Sequence, residues 1–173
     1  MSDEVLIRRG EMEDIPWLQP IERAATGRFR GHPAFAPFWA QEFSPELFAR
    51  HVKNRTLWVA TIDDSPPLGM AFTSEIDGIA HLEEIDVHPD ISGKGVGSEL
   101  LEAVCSIARV SGYAAITLST LTDVPWNAPF YAKRGFRILA PEELTPGLVQ
   151  LQRREAMGGF PMHLRVIMRR ELG

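Results

Sequence analysis

Cysteine is almost missing from this chain: Cys105 is the only one among 173 residues. No internal disulfide can form, and a reducing compartment is expected. Cys105 falls in a helical apolar pattern, which favours a buried structural thiol over a nucleophile. No apolar run approaches the roughly 18 residues of a membrane helix, and the opening Met1-Ser2-Asp3-Glu4 is acidic. Neither a membrane partner nor a secretory signal is expected, and the location read from the sequence is cytoplasmic. A basic stripe is lacking too. The formal net charge of −5 argues against nucleic acid as a partner and mildly favours cationic substrates. The five histidines, His32, His51, His81, His88 and His163, are scattered without paired ligand spacing, so no metal site is predicted.

What is present is an ordinary globular composition, 45% hydrophobic and 24% charged. The length suits one α/β domain over residues 1–173, burying about 70% of its unfolded surface. Val5 to Arg8 reads as a strand and Asp14 to Arg23 as a helix capped by Asp14, with Pro16 in its first turn. Residues 27–43 are rich in Gly, Pro and aromatics, with Phe29, His32, Phe35, Phe38 and Trp39. They read as a hydrophobic loop packed on the sheet. Ser44-Pro45-Glu46 has the chemistry of a helix start, running to about Lys53. Strands are predicted over Thr56–Ile62, Leu68–Ile76 and Ile79–His88, the last two joined by a tight turn at Asp77-Gly78. A helix from Val96 to about Ser111 and a strand over Ala114–Ser119 follow, the crossover making that strand parallel to its predecessor. A short helix with Asn127 as its cap, a strand Phe136–Leu139, a charged helical stretch Pro141–Gly158 and a strand His163–Arg169 complete the chain. In the charged stretch, Glu142, Glu143, Arg153, Arg154 and Glu155 are read as a solvated face.

The densest signal is the passage from Ile85-Asp86-Val87-His88-Pro89 into Ser92-Gly93-Lys94-Gly95-Val96-Gly97-Ser98. A strand, a glycine turn and a helix start, in that order, bring backbone N–H groups and a positive dipole end toward one point. A diphosphate suits such a place. The dinucleotide fingerprint is a poor match, because the glycines run Gly-x-Gly-x-Gly and nearly half the chain precedes them. The nucleoside-triphosphate loop fails as well, since Gly93-Lys94 is followed by Gly95 and not by Ser or Thr.

This passage resembles motif A of the GNAT superfamily of acetyl-CoA-dependent N-acetyltransferases, Gln/Arg-x-x-Gly-x-Gly/Ala after a Val-x-Pro strand end. Gly95 and Gly97 match, and Ser92 departs by taking the Gln/Arg place. A second match is Asn127-Ala128-Pro129-Phe130-Tyr131-Ala132-Lys133-Arg134-Gly135-Phe136, similar to the family's short helix with a Tyr ending in Gly-Phe. The resemblance implies an α/β (α+β) GNAT-like fold: a central mixed, mostly antiparallel sheet with a splayed parallel pair, flanked by helices, with residues 27–43 as a candidate lid over the acceptor substrate. It implies acetyl-CoA as cosubstrate, no metal, and transfer of the acetyl group to the amine of a small molecule by direct attack. A protein N-terminal or lysine acetyltransferase is the alternative, and so is an acyl-CoA-binding sensor with little catalysis. A homodimer stays compatible with the sequence.

The same resemblance assigns candidate residues. Ile85, Asp86, Val87, Ser92, Gly93, Lys94, Gly95, Val96, Gly97, Ser98 and Asn127 fall at coenzyme-binding positions. Tyr131 falls where the family places its general acid, and a phenol with an ordinary pKa near ~10 keeps a proton to give. Its other reading is a core aromatic. Glu83 stands where several members, polyamine acetyltransferases among them, place an acid that binds or deprotonates the amine. Strand alternation sets Glu83 with Ile85 and Val87 and puts Glu84 with Asp86 on the other face. Solvated charge would also explain these acids, and His81 is a second candidate base acting through water. Val124 stands where the family usually has an Asn. Trp58, Trp126, Thr120 and Thr122 are candidate lining residues, with core packing or turn chemistry as the alternative.

Overall fold

The computed structural model describes residues 4–33, 42–91 and 93–173. Ser92 lies outside the described residues, as do residues 34–41, which include Phe35, Phe38 and Trp39 of the expected lid.

The strands are β1 Val5–Arg9, β2 Leu57–Ile62, β3 Gly69–Ile76, β4 Ile79–Val87, β5 Ala115–Leu121, β6 Arg137–Ile138 and β7 Arg165–Glu171. The helices are α1 Ile15–Thr26, α2 Pro45–Lys53, α3 Val96–Val110, α4 Ala128–Ala132 and α5 Pro146–Met157. The strands form one sheet in the order β1-β2-β3-β4-β5-β7-β6. Pairs β1/β2, β2/β3, β5/β7 and β6/β7 are antiparallel, while β4 and β5 run parallel in the register Ala80↔Ile116 to Leu82↔Leu118. The expected mixed sheet with one parallel pair is therefore found. It arises because α3 returns the chain between β4 and β5, whereas Asp77-Gly78 reverses β3 directly into β4. Both turn residues take positive φ, 52° and 78°, the pairing that matches strand twist. Strand ends differ from expectation by one or two residues in either direction: β5 continues through Thr120 and Leu121 on β7, past the apolar pattern, while β2, β3, β4 and β6 are shorter than expected.

The chain folds as two compact units. The first comprises Met1–Thr73 and Glu84–Val104. In it α1 and α2 bury Leu18, Ile21 and Phe48 against Leu57 and Val59 of β2 and Met70 and Phe72 of β3. Phe48 is fully enclosed, and deleting such a ring costs about 3–5 kcal/mol. Alternation sends Ala60 to a second cluster with Ile91 and Val96, against which Val87 packs. Ser44 caps α2 as expected, its hydroxyl accepting the Leu47 N–H at 3.1 Å. Asp14 does not cap α1. Its carboxylate takes the Arg8 guanidinium at 2.7 and 2.9 Å and the Glu11 N–H at 2.8 Å, because a charged partner on β1 outcompetes a helix amide.

The second unit comprises Ser74–Glu83 and Cys105–Gly173. Leu148 and Leu151 of α5 pack with Leu139 and Ile167. The expected solvated face of this region is only partly found. A single turn at Pro141–Glu143 precedes α5, and Glu155 is buried instead of solvated. It accepts from Ser119 Oγ at 2.7 Å and from Arg165 Nε at 3.0 Å, so its burial is compensated. Cys105 is buried, as expected of a structural thiol.

Candidate active site

The glycine turn is held in the first unit by what surrounds it. β4 ends at Val87, the His88 N–H donates to the Leu68 carbonyl at 2.8 Å, and a turn over Pro89–Ile91 leads to Gly93. Gly93 and Gly95 take φ of 84° and 80°, and a methyl group at either would meet nothing within 4 Å. Conformation, not crowding, therefore calls for glycine, and the space beyond both residues is open. The first helical bond of α3 runs from the Glu99 N–H to the Gly95 carbonyl at 3.0 Å. The amides of Val96, Gly97 and Ser98 precede that ladder and lie at its positive end. Val96 is buried with Ile91 and Ala60, which anchors the helix start. Lys94 is exposed on the turn.

The acids of β4 separate by face. Val87 packs into the cluster of Ala60, Ile91 and Val96, whereas Asp86 and Glu84 look toward Glu22 of α1. Burial pushes the Asp86 carboxyl well above the ordinary carboxylate range, and the neighbouring Glu84 and Glu22 push it further. Its Oδ2 is enclosed and has no hydrogen-bond partner among the described residues. Glu22 is 5% exposed and accepts the Phe43 N–H at 2.9 Å. Burial, aided by Glu84 and Glu42, raises it to about 7 against the pull of that amide. Sequence reasoning missed Glu22. The signal was available: it occupies the core stripe of α1 with Leu18, Ile21 and Ala25, where an acid is out of place.

The second unit holds the other candidates. Tyr131 of α4 is buried, its ring edge-on to Phe130 at 5.2 Å and Phe136 at 5.7 Å between centroids. Gly135, at φ 89°, ends the segment, and the Phe136 N–H returns to the Tyr131 carbonyl at 3.2 Å. Asn127 precedes α4 but its side chain makes no capping bond; its backbone carbonyl accepts the Tyr131 N–H at 3.1 Å. Its backbone at φ −112°, ψ −116° lies outside the usual capping region, so the amide side chain is not aimed at the helix. Glu83 is exposed and accepts a hydrogen bond from the Ser74 hydroxyl. His81 is buried, with Nδ1 2.8 Å from Thr117 Oγ1, and burial lowers its pKa despite Glu83 and Glu155 nearby. Thr120 is buried inside β5, and the Thr122 hydroxyl donates to the Leu164 carbonyl at 3.2 Å, so packing and turn chemistry account for both. Val124 is buried, Trp126 half-buried, and Trp58 sits in the core of the first unit. No group of acids, histidines and cysteines suited to a metal occurs among the described residues, and no helix of the described residues is long and apolar enough to cross a membrane.

Comparison with known proteins gives a consistent picture. Residues 18–136 match the model of the acetyltransferase (GNAT) family. The chain is 33% identical over 128 residues to the glucosamine 6-phosphate N-acetyltransferase of Trypanosoma brucei brucei, covering 74% of this chain and 77% of that protein. It is 28% identical over 100 residues to a peptidyl-lysine N-acetyltransferase of Salmonella typhimurium, covering 57% of this chain and 62% of that protein. The crystal structure of the PaiA N-acetyltransferase from Thermoplasma acidophilum, in complex with coenzyme A, superposes with a TM-score of 0.71 at 18% identity, over 97% of this chain and 99% of that one.

Proposed function

The chain belongs to the GNAT family of acetyltransferases, and on that premise we propose that residues 1–173 form one acetyltransferase domain that moves an acetyl group from acetyl-CoA to the amine of a small molecule by direct attack. The observation that carries this reading is the glycine turn, with positive φ at Gly93 and Gly95, open space beyond them and helix-start amides behind. That arrangement fits a diphosphate. Ser92, Lys94, Gly97, Ser98 and Asn127 would complete the coenzyme set. Ile85, Asp86 and Val87 would contribute through their backbone, because the Val87 side chain is packed away and that of Asp86 faces other acids.

Bound there, the coenzyme supplies an acetyl thioester open to attack by an amine. Glu83, exposed beside Ser74, takes the proton that the amine gives up as its nitrogen bonds to the carbonyl carbon. Tyr131 presents its hydroxyl proton to the sulfur as the carbon–sulfur bond breaks. Its enclosure by Phe130 and Phe136 fixes the ring for that one task.

A protein lysine as acceptor is the second reading, favoured by the likeness to a peptidyl-lysine N-acetyltransferase. The small-molecule reading is preferred because the aromatic-rich sequence of residues 27–43 favours a small enclosed acceptor over an open peptide groove. Thiol release from acetyl-CoA, assayed against pools of small amines, amino acids and lysine peptides, decides between them. Release with peptides alone selects the protein substrate. Coenzyme binding without release from any pool contradicts both and leaves a sensor.

A further inference from the structure

Glu83 is exposed on β4, where a glutamate side chain is free to turn about its torsions. Placement matters to a base as much as its chemistry does, since a shift of about 1 Å at a reacting group costs up to about 10²-fold in rate. The hydrogen-bond partner of Glu83 among the described residues is Ser74 of β3, whose hydroxyl donates to Oε1. No donor from those residues reaches Oε2. The fold brings the pair together: Asp77 and Gly78 reverse β3 into β4 in two residues, which sets Ser74 opposite His81, with Glu83 the next residue along on the same face. Diagonal neighbours of that kind are within reach of a long side chain. Glu75, on the other face, is taken separately by the Tyr113 hydroxyl at 2.9 Å. A serine hydroxyl has one proton, and Ser74 spends it on Glu83 and not on a backbone carbonyl. His81 does not compete for the carboxylate as a cation, because burial lowers its pKa and its Nδ1 is engaged with Thr117.

We propose that Ser74 is a positioning residue for the acetyl transfer: from β3 it fixes Oε1 of Glu83 and leaves Oε2 to take the proton of the amine. The proposal rests on the reading of Glu83 as the base and deepens it. In this role Ser74 touches neither amine nor coenzyme and acts through Glu83 alone. Losing its hydroxyl therefore slows the proton transfer without weakening coenzyme binding, and the loss matters only while a carboxylate is there to be held.

The test is steady-state thiol release, with the amine that supports the fastest release, by the parent, Ser74→Ala, Ser74→Thr, Ser74→Val, Glu83→Gln and the double variant Ser74→Ala/Glu83→Gln. Ser74→Ala should lower kcat about tenfold, with KM for the amine, coenzyme A affinity and melting temperature level with the parent. Ser74→Thr keeps a hydroxyl and should restore turnover. Ser74→Val has the same shape without the hydroxyl and should not; this pair carries the comparison should Ser74→Ala fail to fold. In the Glu83→Gln background Ser74→Ala should cost nothing further, because residues that act as one unit are not additive. Full turnover in Ser74→Ala beside an impaired Glu83→Gln, an equal loss in both backgrounds, or Ser74→Val as active as Ser74→Thr overturns the proposal and leaves Glu83 as the base. Glu83→Gln at the parent's turnover removes the base reading, and no thiol release with any amine removes the transferase reading; the proposal falls with either.

Discussion

Asp86 on β4 and Glu22 on α1 are two acids turned toward each other in one compact unit, the first with an enclosed oxygen that bonds to nothing among the described residues and the second tied to the Phe43 amide. An acid whose pKa is raised on folding stabilises the native state below its unfolded pKa. That contribution is lost as pH climbs through the folded value.

For Glu22 the window runs from about 4.5, its ordinary value, to about 7. The ligand-free protein therefore loses of the order of 1–2 kcal/mol across it from this residue, after allowance for screening by water. Glu22→Gln should remove that slope, melting higher than the parent at pH 8 and level with it at pH 5. Melting curves of both proteins from pH 5 to 8 check this, and parallel curves would mean that Glu22 is not held as described.

Glu155→Ala should be costly. It strips both Ser119 and Arg165 of their partner and leaves a guanidinium only 16% exposed, stacked over the Phe160 ring at 4.1 Å. Removing one member of such a pair costs about 3 kcal/mol. Urea unfolding should show that loss, whereas Glu143→Gln, which breaks the exposed pair with Arg137, should be indistinguishable from the parent.

Glu155 and Glu22 also show where the sequence was hard to read. Each occupies a position that helical spacing gives to the core, Glu155 with Leu148 and Leu151, Glu22 with Leu18, Ile21 and Ala25. The bland rule that acids belong to solvated faces hid both, because the partners that make burial tolerable, Ser119 and Arg165 for the one and the Phe43 amide for the other, are remote in sequence. Local chemistry was far more legible. The Ser44 cap, the Asp77-Gly78 reversal and the glycine turn depend on a few adjacent residues, and they were read correctly. Asp14 and Asn127 carry the same capping chemistry and failed, the first because Arg8 competes for its carboxylate, the second because its backbone turns the side chain away. The mixed sheet with its one parallel pair was legible from the resemblance to a known family more than from periodicity, whereas the order of its strands was legible from neither.

Gly93→Ala and Gly95→Ala should strain the turn at a cost of about 1 kcal/mol each, since φ near 80° suits glycine whatever the space available. Coenzyme A affinity should fall about tenfold with only a small drop in melting temperature. Gly27→Ala is the contrast. At φ −56°, with nothing within 4 Å of the added methyl, it should stabilise by about 0.4–1 kcal/mol and leave coenzyme binding alone. Calorimetry and melting on the three variants check the pattern, and a turn tolerant of alanine would count against the diphosphate site.

Tyr131→Phe keeps the ring between Phe130 and Phe136 and deletes only the hydroxyl. Loss of a general acid lowers turnover by about 10²–10⁴-fold. Coenzyme affinity and melting temperature should stay level, and a tyrosine that serves packing alone would leave turnover intact as well.

The most direct test of the account is steady-state release of free thiol from acetyl-CoA by the intact protein, run against a graded set of small amines with the acetylated product confirmed by mass. The account predicts saturable, amine-dependent release with one acetyl group gained on the amine nitrogen for each thiol freed. Tight coenzyme binding with no amine-dependent release from any member of the set would contradict it.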